Sequence, residues 1–212
     1  MPTHSALERS NLADAMLSAG PDSPTLCTGW TVSVMAAHLV TREWRPDVAA
    51  GNVIPPLSGW MDRETHRYAR GHDFEKTVAK FRSGPPLLGW SNLPKIDANL
   101  NLAEFLVHHE DVRRGSGDWE PRELPDDLNR RVWATAVGAG RFFLRRAGFP
   151  VTLEWASAGK SRTIGKGEGG VVMRGEPLEL LLFTYGRRGA ADVELDGPEA
   201  GQERLHSMKL GL

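Results

Sequence analysis

The chain has 212 residues, a formal net charge of -1 at pH 7 and a single cysteine, Cys27. This charge balance argues against a nucleic-acid partner, because nothing supplies a net basic field for a phosphate backbone. No intrachain disulfide can form, and no stretch approaches the roughly 20 apolar residues that cross a bilayer. We therefore expect a cytoplasmic protein with no membrane partner and, from its amino-terminal sequence, no secretion signal.

The first half of the sequence predicts helices separated by clear stop signals. Ser5 and Glu8 form a capping box that opens a helix ending at Gly20, and Thr31 caps a second helix that runs to about residue 50. A glycine and a histidine at positions 71 and 72 interrupt the helical pattern, and Asp73 begins the next helix. The next predicted helices cover residues 58–70 and 73–82. The proline-rich stretch 83–95 is predicted to be extended.

The second half of the sequence predicts two more helices and then strands. A fourth helix ends near Gly115, and a last long helix covers residues 126–147. Beyond them, the apolar residues of 151–155 alternate with a period of two, which indicates a strand, and 171–175 and 191–197 read as two more. Pro177 opens a short amphipathic helix between them. The sequence therefore predicts a mainly α fold: a four-helix bundle over residues 1–148, then a small α+β domain over 149–212.

The fourth helix carries a stripe of three metal-ligating residue types. Glu104, His108 and Asp111 stand at i, i+4 and i+7, which places them on one face of the helix beside its apolar side. An imidazole and a carboxylate one turn apart can bind a divalent metal, and His38 is the best third ligand. The alternative is that Glu104 only completes a capping pair with Asn101 on a solvated face, and that His38 is an ordinary core histidine.

Three neighbours of this stripe have roles that the sequence leaves open. Arg42 lies one turn after His38 and either neutralises the carboxylate of a ligand or pairs with Glu43 or Asp47 in solvent. Asp111 either binds the metal directly or, as we favour, accepts the free N–H of a ligating imidazole. His109 points about 100° away from the stripe, so we expect it to be packed in the core or to support a ligand from behind, and not to bind the metal itself.

Cys27 precedes a helix start, where a thiolate would feel the positive end of the helix dipole. No general base is visible beside it in the sequence, so we expect it to be chemically inert.

The segment Glu154–Ser161 ends like a phosphate-binding loop. Glu154, however, occupies the position of the first glycine, and extended, glycine-rich sequence follows where that loop requires a helix. We therefore interpret the segment as a hairpin turn.

Two of these segments together resemble a known family. L-C-T-G-W-T-V-S-V-M-A-A-H-L-V-T-R-E at 26–43 and E-F-L-V-H-H-E-D-V-R-R at 104–114 are similar to the mycothiol-dependent maleylpyruvate isomerase family, and L-L-L-F-T-Y-G-R-R at 180–188 extends the match into the tail. The resemblance is closest to a subgroup described only as metal-binding. It implies a DinB-like four-helix bundle that binds a metal, followed by a small carboxy-terminal domain.

Carried over residue by residue, the resemblance assigns the metal ligands to His38, Glu104 and His108, and the following acidic position to Asp111. It also makes Arg187, after Gly186, a candidate contact for an anionic thiol cofactor or substrate. The doubled histidine at 108–109 and the H-E-D-V-R-R run at 109–114 depart from the isomerase pattern, which argues against maleylpyruvate itself as the substrate.

These observations predict a zinc-binding protein that uses a small-molecule thiol such as mycothiol, as a transferase or isomerase of a small electrophilic substrate. Zn²⁺ is expected on the three ligands, with Asp111 orienting His108 and with Arg42 or Arg187 holding a substrate carboxylate. The alternatives are a non-catalytic metal- or ligand-binding regulatory protein and a plain helical interaction module that binds no metal.

Overall fold

The computed structural model describes residues 2–49, 58–85 and 101–210. The chain forms two compact units, Met1–Trp119 and Glu120–Leu212. Within the described ranges, no helix combines the length and the apolar character that crossing a membrane requires. The mainly α architecture predicted from the sequence, with a small α+β unit at the carboxy-terminal end, is confirmed.

The first unit is a bundle of helices around one apolar core. Its helices are α1 His4–Ala19, α2 Val32–Trp44, the short α3 Pro46–Ala49, α4 Ser58–Gly71, α5 Phe74–Ser83 and α6 Leu102–Arg113. Helix α1 packs on α5 and α6, while α2 packs on α4 and α5. Leu12, Met35, Phe81 and Phe105 are fully buried where α1, α2, α5 and α6 meet. This core holds α2 and α6, which carry the predicted ligands, at fixed positions in the same bundle.

The start of α1 differs from the prediction. Thr3 caps the helix, its hydroxyl oxygen accepting a hydrogen bond from Ala6 N at 3.2 Å. Ser5 and Glu8 lie inside the helix and are buried, so the predicted capping box was wrong. A threonine two residues upstream supplies the same side-chain acceptor, and tertiary contacts use Glu8 elsewhere.

The end of α2 also differs, since the helix stops at Trp44 and not near residue 50. The proline at position 46 of the sequence is the physical reason, because a proline disfavours helical backbone at the residue before it, and Arg45 adopts φ -126° and ψ 79°. The chain then resumes in α3. The predicted helices 58–70 and 73–82 are confirmed, with Asp73 Oδ1 accepting from Lys76 N at 2.9 Å. Most of the stretch predicted as extended lies outside the described residues.

The second unit combines helices with a four-stranded sheet. Its elements are α7 Asp126–Phe143, β1 Val151–Trp155, β2 Lys160–Ile164, β3 Val171–Gly175, α8 Pro177–Thr184, β4 Glu194–Asp196 and α9 Glu199–Ser207. The sheet order is β2-β1-β3-β4, with β1 and β3 parallel and the two outer pairs antiparallel. Residues 156–159 form the turn between β1 and β2, so the hairpin interpretation of this segment is confirmed.

Helix α7 belongs to the second unit, whereas the sequence predicts the domain boundary after it, at 148/149. It packs against α8 and against the sheet. A Cβ atom at Gly140 would lie 2.6 Å from Ile164 Cδ1 and 3.3 Å from Leu153 Cδ1, so glycine allows this close approach. Periodicity reveals that a helix has an apolar face but not which element covers that face.

Candidate metal centre

The predicted ligands lie on two neighbouring elements of the first unit. Helix α2 presents His38 and, one turn later, Arg42, while α6 presents Glu104, His108 and Asp111 along one face. Both histidines are buried, and the Glu104 side chain is 20% exposed. The structure therefore brings together five of the six site residues predicted from the sequence.

Three donor atoms converge at the centre of this group. His38 Nε2 lies 3.3 Å and His108 Nε2 3.2 Å from Glu104 Oε1. The donor atoms of all three residues lie within 4.8 Å of one another. A tetrahedral zinc ion with bonds of roughly 2.1 Å holds its ligand atoms about 3.4 Å apart. The two separations from Glu104 Oε1, 3.3 and 3.2 Å, are close to that spacing.

Asp111 holds the far side of the His108 ring. Its Oδ2 atom lies 2.8 Å from His108 Nδ1, and the Asp111 side chain is fully buried. An ionised carboxylate only accepts hydrogen bonds, so the proton of this contact is on Nδ1. The lone pair of a neutral His108 is then on Nε2, the atom that faces Glu104 and His38.

Arg42 lies beside a ligand and not in solvent. Its Nε atom is 3.4 Å from Glu104 Oε1, and its Nη1 donates to Asn101 Oδ1 at 2.9 Å. Glu43 and Asp47, the alternative partners, pair with other arginines. Asn101 makes no side-chain cap bond at the start of α6, which removes the capping-pair explanation of Glu104.

Burial and charge set the protonation states at this centre. Burial lowers the pKa of His38, although its hydrogen bond to Glu104 opposes this. Burial also works to raise the pKa of the Glu104 carboxyl, but the Arg42 guanidinium and the two histidines outweigh it and hold that pKa well below its usual range. Burial works to lower the pKa of His108, but hydrogen bonds, the one to Asp111 foremost, raise it well above its ordinary value. An anionic Glu104 is therefore available as a ligand, whereas His108 must lose a proton before it binds a metal.

His109 is packed as expected. Its side chain is 8% exposed, and Nδ1 lies 2.7 Å from Glu8 Oε1 on α1, on a different side of α6 from His108. His109 therefore links two helices of the bundle and is not part of the donor set.

Sequence reasoning missed two residues of this centre. Cys27 is half-buried with Sγ 3.3 Å from Asp111 Oδ2, and its side chain is one of the groups that raise the pKa of His108. The Trp30 ring lies 4.9 Å, centroid to centroid, from the His38 ring, and its Nε1 donates to Asp62 Oδ1 at 3.3 Å. Both belong to the loop before α2, and no spacing along the chain signals that this loop touches α6.

Arg187, the sixth predicted site residue, lies in the second unit. Its Nη1 donates to the Tyr185 carbonyl oxygen at 2.7 Å. Its role toward a thiol or substrate stays a prediction.

No protein-family model and no curated protein sequence matches this chain. Two solved structures share its fold, and both are of the mycothiol-dependent maleylpyruvate isomerase. A histidine-to-alanine mutant of that enzyme aligns with a TM-score of 0.59 at 14% identity, over 92% of this chain and 96% of that chain. A second structure of the enzyme aligns with a TM-score of 0.53 at 15% identity, over the same 92% and 96%. The fold is thus that of a DinB-like bundle with a small α+β tail, and its bundle contains residues that could hold a metal ion.

Proposed function

We propose that this protein binds one zinc ion through His38, Glu104 and His108 and acts with a low-molecular-weight thiol as a transferase or isomerase. The convergence of the two Nε2 atoms on Glu104 Oε1 carries the proposal, since it joins three donors of the right chemistry from two separate helices. Three protein ligands leave a coordination position for a further group, as catalytic zinc sites require.

A zinc ion at this position would supply Lewis acidity, which deprotonates a bound thiol and so makes a thiolate available at neutral pH. The residues of the chain prepare the site for this chemistry. Asp111 keeps the Nδ1 proton of His108 in place and so directs the other nitrogen inward. Arg42 keeps Glu104 anionic and ordered, and the same guanidinium is the proposed contact for a substrate carboxylate.

The identity of the thiol rests on similarity. The two structures with the same fold are described as mycothiol-dependent, which supports mycothiol as the thiol, with Arg187 as its proposed contact. The substrate is proposed to be a small electrophile. A cytoplasmic location belongs to the same proposal, because low-molecular-weight thiols are kept reduced there.

Metal analysis tests the first part of this proposal. Protein purified without chelator should contain about one zinc ion per chain, the count for a single closed donor set. His38→Ala should remove one ligand of this donor set and weaken zinc binding, whereas His109→Ala, which removes a buried histidine outside the donor set, should leave it intact. Protein that neither contains zinc nor takes it up would overturn the proposal.

Calorimetry tests the second part. Titration of mycothiol into the zinc-loaded protein should give saturable binding that is lost in Glu104→Ala together with the metal. The absence of binding at millimolar thiol would remove the thiol-dependent enzyme and leave the alternative, a non-catalytic metal-binding protein. Because the two titrations are separate, a metal-binding result stands whatever the thiol result is.

A further inference from the structure

A second set of donors lies on the opposite side of the His108 ring from the first. Cys27 Sγ, a ring nitrogen of His108 and a carboxylate oxygen of Asp111 lie within 4.8 Å of one another. Asp111 Oδ2 is at the centre of this set, 2.8 Å from the imidazole nitrogen and 3.3 Å from the sulfur. We propose that this second set is a binding site for a single thiophilic cation such as Cd²⁺; it shares His108 with the proposed zinc site but does not depend on the proposed function.

The donor types point to a soft ion. A thiolate and an imidazole nitrogen together favour soft and borderline metals, whereas the first set offers no sulfur. On binding, the Cys27 thiol releases its proton to solvent and the thiolate forms the bond to the ion, while the carboxylate of Asp111 supplies the second negative charge. Two anionic donors and one neutral donor around a dication leave a complex of zero net charge, which favours binding of the dication in this buried setting.

The loop that carries Cys27 is held firmly in place. Leu26 N donates to the Asp111 carbonyl oxygen at 3.0 Å, which fixes the loop to α6 beside the site. Cys27 N donates to Thr25 Oγ1 at 3.2 Å, and Trp30 N donates to the Cys27 carbonyl oxygen at 2.9 Å. The thiol is therefore held in position before any ion arrives, and little ordering is needed for binding.

The tight fit at Gly115 supports the same conclusion. A Cβ atom at this position would overlap the Pro24 carbonyl oxygen and lie 2.6 Å from Thr25 Cα. The loop thus lies directly on the end of α6, in contact with its backbone, and only glycine allows this approach.

His108 makes the two donor sets mutually exclusive. A neutral imidazole has one lone pair, and the ring has a carboxylate at each nitrogen. With an ion on Nε2, the Nδ1 proton is donated to Asp111; with an ion on Nδ1, the Nε2 proton is donated to Glu104. Each tautomer has an acceptor already in place, so the same ring serves either set but not both at once.

Cadmium titration of the metal-free protein tests the proposal. One equivalent of Cd²⁺ should produce the ultraviolet thiolate-to-cadmium charge-transfer band. Cys27→Ser, which keeps the size of the side chain, should lose this band and bind Cd²⁺ roughly 10-fold more weakly or worse. His38→Ala, which removes a ligand of the zinc set only, should keep the band.

Two further measurements complete the test. The cadmium-113 NMR shift of the unmutated protein should lie in the range of mixed sulfur, nitrogen and oxygen coordination, a readout that does not depend on the folding of any variant. Equilibration with zinc and cadmium together should give a sum of about one ion per chain, because the two sets share one lone pair. A missing band in the unmutated protein, a Cys27→Ser variant that binds Cd²⁺ unchanged, loss of the band in His38→Ala, or two ions per chain would each overturn the proposal. Failure of zinc binding with a retained cadmium band would instead contradict only the proposed function.

Discussion

Replacing Asp111 by asparagine isolates what its charge contributes to metal binding. The substitution keeps the volume of the side chain and an oxygen that can accept from His108 Nδ1, but it removes the negative charge. Outer-shell carboxylates of this kind change metal affinity by roughly 10- to 100-fold, which corresponds to about 1.4–2.8 kcal/mol. The Asp111 side chain is fully buried, with its oxygen 2.8 Å from the ring nitrogen, so water does not screen the contact. We therefore expect Asp111→Asn to weaken zinc binding by close to 100-fold.

Competition with a chromophoric chelator measures this change directly. The matched control is Glu110→Gln, because Glu110 is an equally buried carboxylate on the same helix whose partners are Arg113 and Arg114. That variant should lose stability, since it leaves charged partners uncompensated, but keep its zinc affinity. If Asp111→Asn loses zinc as completely as His108→Ala does, Asp111 is a direct ligand. If its affinity is unchanged, the hydrogen bond to the ring does not orient the ligand, and the reasoning fails.

Three further predictions follow from the same contacts. His108→Ala should abolish zinc binding. His109→Ala should keep zinc binding but lower the free energy of unfolding by about 3 kcal/mol, because Glu8 is left buried without this partner. Metal analysis and denaturant unfolding distinguish the two variants, and the opposite pattern would refute the assignment. Contacts raise the pKa of His108, so zinc must displace a proton from this ring when it binds. Zinc affinity should therefore fall roughly tenfold for each pH unit below that pKa. A zinc affinity that stays constant between pH 6 and 8 would contradict this. Gly115→Ala should lower the free energy of unfolding by about 1–3 kcal/mol through its clash with the Pro24 carbonyl oxygen and Thr25 Cα, and an unchanged unfolding curve would mean that the loop is not held against α6.

Periodicity along α6 is local information, and it was enough to predict half of the site. Because a helix repeats every 3.6 residues, the spacing of Glu104, His108 and Asp111 determines that they share a face whatever surrounds the helix. The same rule predicted that His109 points elsewhere. The mainly α fold followed in the same way from stop signals and from the change of period after residue 150. The end of α2 was also a local matter, and Pro46 in the sequence was the signal that the prediction overlooked.

Long-range contacts are the part that the sequence did not reveal. Cys27 lies 84 positions from Asp111, and Glu8 lies 101 positions from His109, yet both pairs are in direct contact. Nothing in the residue types near Cys27 indicates a base, because its acidic neighbour comes from another helix. Such contacts depend on how the helices pack against one another, and the spacing of residues along one helix does not determine that packing.

The burial of His108 between two carboxylates connects the fold to the chemistry. A surface histidine exchanges its proton with water and has no fixed tautomer, whereas the His108 side chain is 11% exposed and has an acceptor at each nitrogen. Which nitrogen bears the lone pair is therefore decided by Glu104 and Asp111 together, and an ion on either side replaces one proton while the other stays bound. Because α6 supplies both carboxylates and the ring, the choice between the two donor sets is built into a single helix. The partners from α2 and from the loop before it, His38 and Cys27, then determine which kind of ion each side accepts.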